Sequence, residues 1–183
     1  RASGTKLPAD QVLVGIGGIA NDDLARAAGL KCTNGVVVDE HGRTEHPDIY
    51  AAGDCANHYN RFADGWIRLE SVQNAQDQAK AAGFAIAGRH GPYDTVPWFW
   101  SDQYDAKLQI VGLSARHDRM VVRGIEDDGR FSVFMYRGEN LIAADSINRP
   151  GDQLACRRLI TAGVSPTPEE AADPSFDLKS LVK

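Results

Sequence analysis

Residues 44–54 read Thr-Glu-His-Pro-Asp-Ile-Tyr-Ala-Ala-Gly-Asp and match the pattern TxxPxhYAhGD, where h is apolar, at every fixed position. The apolar run from Ile49 to Ala52 predicts a buried strand, and Gly53 after it lets a ligand approach the backbone closely. The carboxylate of Asp54 is suited to accept hydrogen bonds from ligand hydroxyls. A plain strand ending in a Gly-Asp turn explains Gly53 and Asp54 but not the positions before them. The stretch therefore predicts a ligand-binding turn.

Composition excludes several classes of protein. The chain has 183 residues with 20 Lys+Arg and 25 Asp+Glu, a net charge of −5, so no basic footprint for nucleic acid is present. The longest uncharged apolar run, residues 12–20, is shorter than the roughly 20 residues of a membrane span. The three cysteines, Cys32, Cys55 and Cys156, form neither a CxxC pair nor a metal pattern. A reducing cytoplasm is the expected compartment.

The first half of the chain has the pattern of an α/β segment. Strands are predicted at residues 12–14, 36–38 and 49–52, and Asn21 is predicted to cap a short helix through Ala28. Ser71 is the predicted N-cap of a longer helix of about 17 residues that closes at Gly88. Its small or apolar positions recur at spacings of three and four, as in an amphipathic helix.

The second half has the pattern of a small α+β domain. Four apolar or alternating runs separated by Gly- and Asp-bearing turns predict an antiparallel meander: residues 108–111, 120–123, 131–136 and 141–144. Pro150 opens a predicted helix through Ala162, and the tail from Pro166 has little apolar content. We expect an α/β segment over residues 1–95, followed by an α+β domain with an antiparallel sheet over residues 96–183.

A glycine motif near the start permits two interpretations. Residues 15–20 fit GxGxx(G/A), follow an apolar run, and precede Asp39 and Glu40 by about 20 residues, as in dinucleotide-binding loops. The negative charges of Asp22 and Asp23 would oppose a pyrophosphate at the helix N-terminus, so a tight turn is the preferred interpretation. A non-catalytic dinucleotide-binding or dimerisation module remains the alternative.

Three stretches together resemble one enzyme family. Residues 44–54 are similar to the second flavin-binding motif of FAD-dependent pyridine-nucleotide reductases, and residues 66–75 and 97–103 resemble the ferredoxin reductases of bacterial oxygenase systems. The resemblance covers essentially the whole chain but only the later half of such a reductase. The chain is therefore expected to be a flavin-domain segment plus the C-terminal domain of a longer enzyme, and to be inactive alone.

The resemblance implies a function and a set of ligands. Electrons would pass from NADH, with NADPH as the alternative donor, through FAD to a [2Fe-2S] ferredoxin that feeds a P450 or Rieske-type oxygenase. A homodimer is left open. A flavoprotein of the monodehydroascorbate, rubredoxin or nitrite reductase type is an alternative, because it would share the motif at residues 44–54 but differ at its acceptor surface. No nucleic acid, membrane, metal site or catalytic side chain is implied.

The resemblance also implies site residues. Gly53 and Asp54 would hold the ribityl-phosphate part of FAD, and backbone amides of Val72 and Gln73 would face the flavin edge where negative charge accumulates. Trp100 would cover the flavin, with Trp98 as second choice and interdomain packing as the alternative. Four arginines are weak candidates for meeting an acidic ferredoxin: Arg61, Arg68, Arg116 and Arg119. His58 is expected on a solvated loop, and Cys55 is expected to pack.

Overall fold

Two β-sheets organise the chain, as seen in a computed structural model that describes residue 4 and residues 6–182. The first sheet has the order β1-β2-β3, with β1 parallel and β3 antiparallel to the middle strand. The elements of this part are α1 (Asp23–Ala27), β1 (Val36–Val38), β2 (Ala56–Asn60), β3 (Gly65–Arg68) and α2 (Val72–Ile86). The expected α/β segment is thus confirmed.

Helix α2 forms where the sequence predicts it. Ser71 is extended, with φ −151° and ψ 150°, and its hydroxyl oxygen accepts a hydrogen bond from the Asn74 amide at 3.1 Å. This bond satisfies one of the free amides of the first turn. The helix ends at Ile86, and Gly88 follows with φ +68°. Alanines on the buried side let the helix approach its neighbours closely, since Ala81 and Ala82 lie in the core.

The second sheet has five antiparallel strands in the order β4-β5-β8-β7-β6. Its elements are β4 (Trp98–Gln103), β5 (Ala106–Gly112), β6 (Arg119–Ile125), β7 (Arg130–Arg137), β8 (Asn140–Ile147), α3 (Pro150–Ala162), α4 (Pro168–Ala172) and a 3₁₀ helix (Leu178–Leu181). Helix α3 packs against one face, where Phe134, Tyr136 and Leu159 are fully buried. The predicted antiparallel α+β domain is confirmed, and the boundary near residue 95 stays a prediction.

The strand order corrects one sequence-based expectation. Only β6, β7 and β8 form a simple meander, because β5 pairs with β8 instead of with β6. Strand β4 was not predicted at all. Its residues Trp98 and Trp100 face the α3 side of the sheet, whereas Phe99 lies on the opposite side, as the alternation of a strand requires.

Three predictions in the first half were wrong. Residues 12–14 form no strand, because no neighbouring strand of the described chain pairs with them, and Leu13 is 99% exposed. Residues 49–52 make only an isolated bridge between Tyr50 and Arg43. Helix α1 starts at Asp23, with Asp22 and not Asn21 at the N-cap position. The Asp22 carboxylate instead receives two hydrogen bonds from Arg26, at 2.7 and 2.9 Å.

Arg123 on β6 fixes the C-terminal tail. Its buried guanidinium donates to backbone carbonyls of the tail, including those of Ala171 at 3.3 Å and Phe176 at 2.9 Å. Its Nε atom lies 3.4 Å from a carboxylate oxygen of Asp152 on α3. The planar fork of a guanidinium suits such multiple acceptors. The tail, which the sequence predicted only as weakly apolar, is therefore an ordered part of the domain.

No helix in the described residues, 4 and 6–182, is long and apolar enough to cross a membrane.

Replacing Arg123 by Lys is expected to lower the free energy of unfolding by about 2–4 kcal/mol. A lysine ammonium cannot reach all of the carbonyls at once, and it leaves some of them buried without a donor. Urea denaturation measures the loss, and hydrogen exchange in α4 should accelerate. Arg119→Lys, at an exposed position on the same strand, is the control. Equal losses in both variants would contradict the assigned role of Arg123.

Candidate flavin site

The Gly53–Asp54 turn packs directly on helix α2. Gly53 has φ +81°, and a Cβ atom there would lie 3.2 Å from the Cβ of Ala75. The Gly53 amide donates to the Gln78 side-chain oxygen at 2.7 Å, and the Gly53 carbonyl accepts from the Ala56 amide at 2.9 Å. Both the positive φ and the tight contact require glycine. The turn is thus held in one position relative to the helix.

Asp54 presents its carboxylate outward from this turn. The residue is exposed, and within the part of the chain that the structure describes its carboxylate has no hydrogen-bond partner. Its carbonyl oxygen accepts from Arg68 Nη1 at 2.9 Å. The backbone is therefore anchored while the side chain stays available to a ligand hydroxyl.

The N-terminus of α2 lies beside this turn and has no acidic residue in its first turn. The backbone amides of Val72 and Gln73 lie in the first turn of the helix, so they have no helical carbonyl to bond to. They form the positive end of the helix dipole. Val72 is half exposed, whereas Gln73 is buried. The Gln73 side chain is already engaged, since its nitrogen donates to Asp77 at 2.7 Å. Only its backbone amide is available to a ligand.

Gln73 also joins α2 to a pair of tryptophans on β4. Its side-chain oxygen accepts from the Trp98 amide at 3.2 Å. The rings of Trp98 and Trp100 stack with centroids 5.6 Å apart and an interplanar angle of 29°. Trp100 is 45% exposed, so it forms the outer side of the pair. The structure thus connects all five predicted site residues through α2: Gly53 and Asp54 through Gln78, Val72 and Gln73 directly, and Trp100 through Trp98.

The basic group nearest to the tryptophans is one that the sequence analysis missed. The guanidinium carbon of Arg157 on α3 lies 5.2 Å from the Trp98 ring centroid. No local pattern signals this contact, because it arises where α3 crosses the sheet. A cation over an indole face is favourable and orients both groups.

Three of the four arginines proposed from the sequence are ion-paired instead. Arg61 binds Asp94 at 2.5 Å and Arg116 binds Asp64 at 3.3 Å. Arg68 pairs with Glu70 and also donates to the Gly18 carbonyl at 3.2 Å, so it ties the glycine segment to the site. Arg119 is exposed and has no ion pair among the described residues. The ion pairs partly neutralise Arg61, Arg68 and Arg116, so these three arginines are less suited to bind an acidic ferredoxin.

The glycine segment at residues 15–20 is an exposed loop in which Gly17 has φ +89°. The five-residue helix α1 that follows is too short to offer a phosphate a strong dipole. Asp22 differs from its expected role, because hydrogen bonds from Arg26 lower the pKa of its carboxyl and offset its charge. The preference for a tight turn therefore rests on the short helix and on the exposed Asp23 in its first turn, because the charge of Asp22 is offset.

His58 was wrongly expected on a solvated loop. It lies in β2, is 2% exposed, and meets the Tyr93 ring edge-on at a centroid distance of 5.2 Å. Burial lowers the pKa of His58 to about 4, because a charged imidazole loses its hydration there. Cys55 is half-buried and free, in agreement with a packing role.

Comparison with known families agrees with this architecture. Residues 1–79 match the family model described as pyridine nucleotide-disulphide oxidoreductase, and residues 98–182 match the one described as reductase C-terminal. The first part of the chain is thus similar to pyridine nucleotide-disulphide oxidoreductases, and the second part is similar to reductase C-terminal domains.

Similar proteins narrow the class. The chain is 48% identical over 180 residues to rhodocoxin reductase of Rhodococcus erythropolis, covering 98% of this chain and 42% of that protein. Its fold matches the ferredoxin reductase for the CYP199A2 system of Rhodopseudomonas palustris with a TM-score of 0.91 and 46% sequence identity. This match covers 98% of the present chain and 44% of the reductase chain. It also matches the reductase in a covalent putidaredoxin reductase–putidaredoxin complex with a TM-score of 0.89, at 43% identity, covering 98% and 43%.

The chain is similar to these ferredoxin reductases over 98% of its own length. The sequence-based recognition is thereby confirmed. The chain spans less than half the length of the relatives that it matches.

Proposed function

We propose that this chain holds the flavin end of FAD and faces the electron acceptor in an NAD(P)H:ferredoxin reductase, with a [2Fe-2S] ferredoxin as the acceptor. One observation carries the proposal: two glutamine side chains in the first half of α2, Gln73 and Gln78, join the tryptophan pair and the Gly-Asp turn to one helix. The Gly53–Asp54 turn, the N-terminus of α2 and the indole of Trp100 are thus all tied to one rigid helix. This arrangement suits one planar ligand with a polyhydroxyl tail.

The residues present fit FAD. The free Asp54 carboxylate suits the ribityl hydroxyls, and the missing side chain at Gly53 lets the turn pack closely against Ala75 of α2, which holds Asp54 in place. The amides at Val72 and Gln73 suit the flavin edge where negative charge develops, because the helix dipole favours an anion there. The partly exposed ring of Trp100 suits the screening of the flavin from water.

Bound FAD would supply the conversion between the two-electron chemistry of NADH, or NADPH, and the one-electron chemistry of a ferredoxin. The chain itself contributes orientation and electrostatics. Arg157, stacked over Trp98, places a positive charge beside the exposed Trp100 and suits an acidic ferredoxin. The names of the similar proteins support an oxygenase system as the destination of the electrons. The three free cysteines support a reducing compartment such as the cytoplasm.

Asp54→Ala is expected to weaken FAD binding to the 183-residue chain at least about tenfold, since a hydrogen bond to a charged group is lost. Quenching of flavin fluorescence measures the affinity. Asp48→Ala, at an exposed position in the same motif, should bind FAD like the parent. Equal affinities in both variants would contradict the role of Asp54. Binding of NADH without FAD, abolished by a change at Gly17, would favour the dinucleotide-module alternative.

Val72→Pro is expected to lower the reduction potential of the bound flavin by about 30 mV, the equivalent of about 1.4 kcal/mol for two electrons. Proline removes the amide but suits the first helical position, and Ser71 already has the extended backbone that precedes proline. Val72→Ala keeps the amide and should keep the potential. Gln73→Pro is less informative, because it also removes the bond to Trp98. A spectroelectrochemical titration with equal potentials in both Val72 variants would exclude the amide contact.

Trp100→Ala is expected to slow electron transfer from the photoreduced, FAD-loaded chain to putidaredoxin by at least about tenfold at subsaturating ferredoxin, as for a central interface aromatic. Stopped-flow absorbance follows the reaction. Trp66→Ala removes a similarly exposed indole from β3 and should leave the rate unchanged. If the two variants react at the same rate, Trp100 has no role at the acceptor face.

A further inference from the structure

The two partners of the Gln78 side chain assign its amide orientation. The Gly53 backbone N–H can only donate, so the atom that faces it at 2.7 Å must be the Gln78 oxygen. The Gln78 nitrogen then faces His58 Nδ1 at 2.9 Å. Because that nitrogen is a donor, His58 Nδ1 must be the acceptor and carries no proton.

The other ring nitrogen of His58, Nε2, lies near the side chain of Asn60. The Asn60 side-chain oxygen accepts from the amides of Phe62 and Ala63, at 3.0 and 3.2 Å. The Asn60 nitrogen therefore faces His58 Nε2, at 3.3 Å. A protonated ring would meet donors at both nitrogens, which agrees with the low pKa that burial gives to His58. His58 is thus a neutral ring with a single lone-pair nitrogen. The shorter contact, at 2.9 Å from the Gln78 nitrogen, assigns the lone pair to Nδ1, so Nε2 carries the proton. The 3.3 Å approach of Nε2 to the Asn60 nitrogen is then a contact between two donors and not a hydrogen bond.

The lone pair at His58 Nδ1 favours one of the two amide orientations of the Gln78 side chain. A glutamine amide has nearly the same shape after a 180° flip, but the flipped group would present NH₂ to the Gly53 N–H. With His58 Nδ1 as acceptor, only the unflipped state satisfies both ends of Gln78. Without it, the Gln78 NH₂ group is buried with no acceptor, and the preference for the unflipped state is reduced.

We propose that His58 is a positioning residue for the cofactor: through Gln78 it fixes the Gly53 amide and so the direction in which Asp54 presents its carboxylate. The proposal rests on the proposed function, in which this turn binds FAD. His58 itself is buried beneath the turn in β2, one helix side chain away from Gly53. It acts through Gln78 and not by touching the ligand.

Two substitutions of similar size separate the hydrogen bond from packing. His58→Asn places an amide oxygen close to the position of Nδ1, whereas His58→Leu fills the site without an acceptor. Selective ¹⁵N-glycine labelling of the 183-residue chain then reports the Gly53 amide directly. Hydrogen exchange of that amide should accelerate about tenfold in His58→Leu and stay within about threefold of the parent in His58→Asn. The FAD dissociation constant should follow the same order.

Val38→Ala is the matched control, because Val38 is buried in β1 directly opposite His58 in the sheet register. It destabilises the same region without removing a hydrogen bond, so the Gly53 amide should be unaffected. Should His58→Leu fail to fold, His58→Gln replaces it. Its amide oxygen reaches toward the Nε2 position, away from Gln78, so Gly53 exchange should again accelerate.

Unchanged Gly53 exchange in His58→Leu, or equal acceleration in His58→Asn or Val38→Ala, would overturn the positioning role. The amide measurement needs no cofactor. Failure of the parent chain to bind FAD would therefore count against the proposed function alone, while the comparison of the His58 variants would still decide the role of His58.

Discussion

The hydrogen bond between the Gly53 amide and the Gln78 side chain is the constraint on which the site depends. It holds Gly53, which has a positive φ angle, against α2 at the point where the helix has the small side chain of Ala75. Gln73, five residues before Gln78 in the first turn of the same helix, accepts a hydrogen bond from the Trp98 amide and so fixes β4. One helix of 15 residues therefore sets the relative positions of the turn, the tryptophans and the free amides.

Buried polar groups hold this region together where apolar packing is sparse. The apolar core of the first sheet is small, with Val36, Val38 and Ala56 as its buried members. The middle strand β2 buries three polar side chains, each with at least one hydrogen bond, although the Asn57 oxygen is buried without a partner: Asn57, His58 and Asn60. A polar network of this kind imposes a single arrangement, because every misplaced donor is costly in a region without water. That property suits the accurate placement of a cofactor.

The second domain is stabilised in a different way. Its core has large, fully buried side chains such as Phe134, Tyr136 and Leu159. Its one buried cluster of charges, Arg123 with Asp152 and Arg149, connects the sheet, α3 and the tail. The domain is thus a rigid support on which β4 carries the tryptophans and α3 carries Arg157. The acceptor face that we propose arises where these two elements meet.

Local signals in the sequence determined much of this protein. The Ser71 cap and the runs of β5 to β8 depend on neighbouring residues, so their conformation was predictable. The motif at residues 44–54 predicted the resemblance to flavoproteins, although its expected strand at residues 49–52 is only an isolated bridge. Tertiary structure decided the rest. Residues 12–14 lack a pairing strand, β2 pairs with β1 and β3 although its buried side chains are largely polar, and Asp22 bonds to Arg26 instead of capping the helix. Arg157 meets Trp98 only after α3 packs on the sheet. Periodicity and capping act within a few residues, whereas pairing and the burial of polar groups depend on partners distant in the chain.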